Sequence, residues 1–128
     1  MPEPTVTKDN ATQTQQLAYL ESIAQTKLGL QSSSRDLLAR RAHADSDETR
    51  QIDIQIERND SEWSKVNASE ILYYSEQDAK FNPPTPADLS NIRAIVMDLD
   101  GLIAAETRAE DILAKTTNLI KAWNQTQA

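Results

Sequence analysis

A chain of 128 residues has room for one domain, and its apolar share of 38%, with only six aromatic residues, is below the ~45–50% usual for a globular core. A net charge of -7 works against general binding to phosphate backbones or anionic lipid, because such binding needs clustered Lys and Arg. The absence of cysteine removes disulfides and thiolate metal sites.

Residues 1–11, with two prolines among small polar side chains, carry no apolar period and read as a flexible polar arm. From Thr12 onward, apolar residues recur at three-to-four-residue steps: Leu17, Leu20, Ile23/Ala24, Leu28, Leu30, Leu37/Leu38 and Ala42. That spacing predicts a first helix over about 12–43 with these residues on its buried face. Gly29 and the serines that follow weaken it locally, since glycine costs about 1 kcal/mol in a helix interior, but the expected helix is continuous.

Asp45, with Glu48 three residues later, predicts a new helix start as in a capping box. The second helix is expected over 46–80, with a narrow stripe of Ile52, Ile56, Trp63, Val66, Leu72 or Tyr73, and Phe81 beyond it. Asn82-Pro83-Pro84 ends it. Thr85 can cap the next helix, with Pro86 at the first helical position, where its missing N–H costs nothing. From Leu89 to Trp123 the three-four spacing is sustained, with Ile103 and Glu106 in the series, so one long third helix over 86–125 is expected.

The expected fold is therefore all-α: an elongated antiparallel three-helix bundle, coiled-coil-like and open to self-association, with 12–128 as a single helical domain. Reflection across the two turns sets Trp63 near the levels of Thr26 and Ile103. On that register the two glycines, Gly29 and Gly101, would make room for the Trp63 indole.

The string Ala94-Ile95-Val96-Met97-Asp98-Leu99-Asp100-Gly101 resembles the first motif of haloacid-dehalogenase-like phosphatases. The resemblance covers about ten residues and implies a strand ending in a nucleophilic Asp98, an acid/base Asp100 and a magnesium ion. The helical period running through the same residues implies instead a helix on which the two aspartates point to different sides. His43, Asp45 and Asp47 at a turn read as a solvated histidine beside capping acids, and no second ligand cluster accompanies them. Four Asn-x-Ser/Thr sites, at Asn10, Asn59, Asn67 and Asn124, read as chance matches in a chain rich in these residues.

No catalytic set, cofactor or metal is expected, and the functional expectation is a non-enzymatic helical protein–protein interaction module, an adaptor or assembly subunit. Its partner is another protein or a second copy of itself, not nucleic acid, and no membrane span is encoded. The third helix carries more apolar surface than the other two can cover, around Ile95, Leu102 and Ile112. With Tyr73, Tyr74 and Trp123, these are the candidate interaction residues. A cytoplasmic location follows by default. The alternative is a small acidic chaperone, or a coiled-coil component secreted without a signal peptide by a specialised bacterial secretion system.

Overall fold

The computed structural model describes residues 6–102 and 107–127. Residues 1–5 of the expected arm, and Ile103 and Glu106 of the third-helix series, lie outside that range. The elements are β1 (Val6–Thr7), α1 (Gln13–Arg41), α2 (Ser46–Ser75), β2 (Lys80–Phe81), α3 (Pro86–Asp100) and α4 (Ala109–Gln127).

The all-α class holds, but the described residues form four helices where three were expected. Three of the starts follow from local chemistry. The Thr12 hydroxyl accepts from the Gln15 N–H while the Gln15 amide accepts from the Thr12 N–H, a reciprocal box that Thr85 and Asp88 repeat at α3 with Pro86 following the cap. Asp45 caps α2 by accepting from the Glu48 N–H, but the Glu48 carboxylate turns to the Arg40 guanidinium instead of reaching back. The α1–α2 corner is thus pinned by an ion pair as well as a cap.

The expected third helix is broken. α3 ends at Asp100, with the Gly101 N–H donating to the Met97 carbonyl, and α4 begins at Ala109. The physical reason is coverage: a straight helix of that length would leave much of its apolar stripe in water. Folded back, α4 buries Ile112, Leu119 and Trp123. Gly101 is a weak point at which this reversal costs little helix propensity.

Side-chain pairs along α1 give the helix directions. Arg41 with Asp53 and Lys27 with Glu70 run α2 antiparallel to α1. Glu21 with Arg93 and Arg35 with Asp100 run α3 parallel to it. Ser33 with Thr116 and Tyr19 with Trp123 run α4 antiparallel. The result is an up-down-up-down bundle in which α1 packs on all three other helices, α3 packs on α4, and α2 meets α4 only sparsely.

α1 is unbroken through Gly29, as expected. The glycine does not serve Trp63, however. A Cβ there would sit 2.5 Å from Leu119 Cδ2 and 2.9 Å from Val96 Cγ2, so the missing side chain lets α3 and α4 close on α1. Gly101 serves the end of α3, and Trp63 lies half-buried with the Lys27 ammonium 4.4 Å from its ring centroid.

The core has two parts. Leu30, Leu37, Ile52, Ile92, Leu99, Ile112 and Leu119 fill the half nearer the α1–α2 corner. An aromatic cluster of Tyr19, Tyr73, Phe81 and Trp123, with Ile23 and Val66, fills the other. Phe81 belongs to this cluster from β2 and not from α2, which stops at Ser75 instead of near residue 80.

Residues 6–11, read from the sequence as part of a flexible arm, are docked. β1 pairs antiparallel with β2, matching Val6 with Phe81 and Thr7 with Lys80. The Lys8 N–H donates to the Ala79 carbonyl at 3.1 Å, and its ammonium donates to the Tyr73 carbonyl at 3.0 Å. Val6 covers the aromatic cluster, an apolar contact that a two-residue strand hides from any periodicity argument.

Candidate interaction surface

Most of the residues expected to mark a contact surface are inside the molecule. Ile112 and Trp123 are buried, Ile95 and Leu102 are half-buried against the core, and Tyr73 is buried. The Tyr73 hydroxyl donates to the Gln16 side-chain oxygen at 3.2 Å, and the Lys8 ammonium stands 5.0 Å from its ring centroid. Burial, assisted by neighbouring Tyr74, raises the Tyr73 phenol above its usual pKa. Tyr74 alone of the six faces outward, 63% exposed, with its ring edge-on to Tyr73 at 5.4 Å. The expected apolar strip of a long third helix is therefore not an exposed surface, because the α3–α4 turn consumes it; Met97 is the large apolar side chain that α3 leaves in water.

Exposed apolar surface lies instead on α1 and α2. On α1, Leu17, Leu28 and Leu38 are 58%, 47% and 57% exposed. On α2, Ile54, Ile71 and Leu72 join Tyr74. Between these helices runs an open groove of about 460 Å³, lined by Leu30, Gln31, Ser34, Arg35 and Leu38 of α1 and Asn59, Asp60 and Trp63 of α2. The Trp63 indole N–H is buried there and has no hydrogen-bond partner among the described residues.

The other side of α1 is closely packed. Its inward face mixes the buried Tyr19, Ile23, Leu30 and Leu37 with small and polar residues: Ser22, Thr26, Gly29, Ser33 and Asp36 are all buried. Two of these are tied off by hydrogen bonds, while the Thr26 hydroxyl has no partner among the described residues. Ser22 donates to the Tyr19 carbonyl at 2.6 Å. Ser33 belongs to a chain of side-chain hydrogen bonds across three helices, in which Gln55 Nε2 donates to Asn59 Oδ1 at 2.9 Å and Asn59 Nδ2 donates to Ser33 Oγ at 3.0 Å. Thr116 Oγ1 donates to the Ile112 carbonyl at 2.7 Å, so at the 2.6 Å contact between the two hydroxyls the Ser33 proton points to Thr116. Every donor in the chain has one direction, which sets the relative heights of α1, α2 and α4.

Asp36 is not tied off in this way. It is 3% exposed, and its Oδ2 has no hydrogen-bond partner among the described residues. Burial raises its carboxyl above the ordinary aspartate pKa; adjacent Arg35 pulls it down, and Asp100 on α3 pushes it up.

The aspartates of the phosphatase-like string lie in α3 and not at a strand end. Both are exposed and separately engaged, Asp98 with Lys115 at 3.6 Å and Asp100 with Arg35 at 3.5 Å. His43 is exposed at the α1–α2 corner, and the described residues hold no group of three or more metal-ligating side chains. No described helix is long and apolar enough to cross a membrane. Comparison with protein families, curated proteins and solved structures gives no match.

The exposed leucines were in view in the sequence, and the reading placed them on the wrong side. The available signal was the seven-residue recurrence of Ser22, Gly29 and Asp36, interleaved with Thr26 and Ser33, which marks a close-packing face as well as any leucine stripe does.

Proposed function

We propose that this protein is a non-enzymatic helical interaction module whose docking surface is the outer α1–α2 face. The observation that carries the reading is the outer face of α1. Its inner side already buries Tyr19, Ile23, Leu30 and Leu37, yet the helix holds three further leucines, Leu17, Leu28 and Leu38, in solvent, an apolar surplus that the core of this chain does not use. The groove beside Trp63, with a polar rim of Arg35, Asp60 and Gln31, has the anatomy of a protein contact: an apolar centre, one half-buried aromatic and charged edges.

Affinity capture from the native cell tests the reading, using the full chain as bait alongside Leu38→Asp in the groove and Met97→Asp on α3. A specific protein retained by the parent chain and by Met97→Asp, but lost with Leu38→Asp, is the expected result. Retention by all three baits, or loss confined to Met97→Asp, would move the docking surface elsewhere.

A further inference from the structure

The outer face of α1 has a regularity that a random scatter of leucines lacks. Leu17, Glu21, Ala24, Leu28, Gln31, Arg35 and Leu38 follow one another at alternating steps of four and three, the spacing of a coiled-coil seam. All are exposed except Glu21, which is half-buried. At ~1.5 Å per residue the stripe runs for roughly 32 Å along the helix, and no other element of the described chain covers it.

The stripe is also close to symmetric about Leu28. Leu17 and Leu38 stand eleven and ten residues to either side, and Glu21 and Arg35 stand seven residues to either side with opposite charge. We infer that a second copy of this chain docks here, its α1 packed antiparallel on this α1 about a two-fold axis near Leu28. This rests on the reading of the outer α1–α2 face as a docking surface and gives that surface its occupant. Antiparallel pairing brings Leu17 to the level of Leu38 of the second copy, and Glu21 to the level of its Arg35. Glu21 is paired with Arg93 and Arg35 with Asp100 within each chain, so each end of the seam gathers four charges of alternating sign. Parallel pairing would set Glu21 on Glu21 and Arg35 on Arg35, the like-charge arrangement that disfavours a seam. The groove between Leu38 and Trp63 lies at the level of the second copy's Leu17 and Ala24, side chains small enough to enter it. A two-fold interface of this kind is closed, so assembly stops at the dimer.

The chain has no cysteine, so single cysteines report the geometry directly. In full-length protein, Leu28→Cys should form a disulfide-linked dimer under mild oxidation. Leu17→Cys and Leu38→Cys should each cross-link poorly alone and well when mixed. Self-linking of Leu17→Cys that matches Leu28→Cys would overturn the antiparallel arrangement. Sedimentation equilibrium should show a concentration-dependent dimer that Leu28→Glu weakens at least about tenfold, the effect of spoiling a buried anchor, with the circular dichroism unchanged. A monomer at every accessible concentration would overturn the second copy as occupant. In that case, retention of a different protein by the parent chain and its loss with Leu28→Glu would leave the docking surface standing, and loss of neither would overturn both.

Discussion

α1 and the α3–α4 hairpin share one core but solve burial in opposite ways. The hairpin is amphipathic in the expected sense: α3 turns in Leu89, Ile92, Val96 and Leu99, and α4 turns in Ile112, Leu119 and Trp123, with charged residues outside. α1 turns in serines, a threonine, a glycine and an aspartate between its buried Ile23, Leu30 and Leu37, and presents leucines to water. The lesson is that the centre of this bundle is held by close approach and directed hydrogen bonds on one side and by apolar volume on the other. Small residues let three helices meet at Gly29, and that proximity gives Leu119 and Val96 their contacts. Leu17, Leu28 and Leu38 lie outside this packing and add nothing to the core.

This contrast can be broken from the hairpin side first. Leu119→Ala removes a fully buried side chain from the point where α4 meets Gly29, and chemical denaturation should show a loss of about 2–5 kcal/mol. Gly29→Ala attacks the same contact from α1. Its Cβ must displace Leu119 and Val96, so despite a helix-propensity gain near 1 kcal/mol a net loss of about 1–2 kcal/mol is expected. Gly101→Ala, whose Cβ would meet only the Met97 carbonyl, at 3.3 Å, among the described residues, should change stability by less than about 0.5 kcal/mol. Equal effects at the two glycines would remove the close-approach argument.

Asp36 sharpens the polar side of the comparison. Its carboxyl is raised above the ordinary value chiefly by burial, so the folded state holds the proton more tightly than the unfolded state does. Its contribution to stability is therefore full below the unfolded carboxylate pKa and is lost as pH rises through the folded value. Asp36→Asn should raise the melting temperature at pH 7, by a shift worth about 1 kcal/mol, and raise it less near pH 4. A larger gain in acid than at neutrality would contradict the assignment. The smallest effect belongs outside: Leu17→Ser and Leu38→Ser, both at exposed positions, should each alter monomer stability by less than about 0.5 kcal/mol, measured at concentrations where the chain is dissociated.

Much of the candidate surface was hidden from the sequence for one physical reason. Hydrophobic periodicity reports that a helix has two faces but not which of them meets its neighbours. In α1 the series expected to face the core joins two stripes: Ile23, Leu30 and Leu37 are buried as expected, while Leu17, Leu28 and Leu38 are exposed and were assigned to the core because burial of leucine is the commoner outcome. The same argument treated the surplus apolar side of residues 86–125 as free surface, although a turn after Asp100 could bury it against α1 and α3.

By itself the sequence determined the helical class and the local boundaries where side chains speak to the adjacent backbone. Asp45, Thr85 and Pro86 each act within one turn, and the helix starts they mark stand where the sequence put them. The tertiary structure decided the reversal between Gly101 and Ala109, the docking of Val6 on Phe81, the partners of Gly29 and the outward turn of Leu17, Leu28 and Leu38. Each of these depends on contacts between residues far apart in the chain. Their strength comes from how closely two surfaces fit, a quantity that no window of neighbouring residues contains.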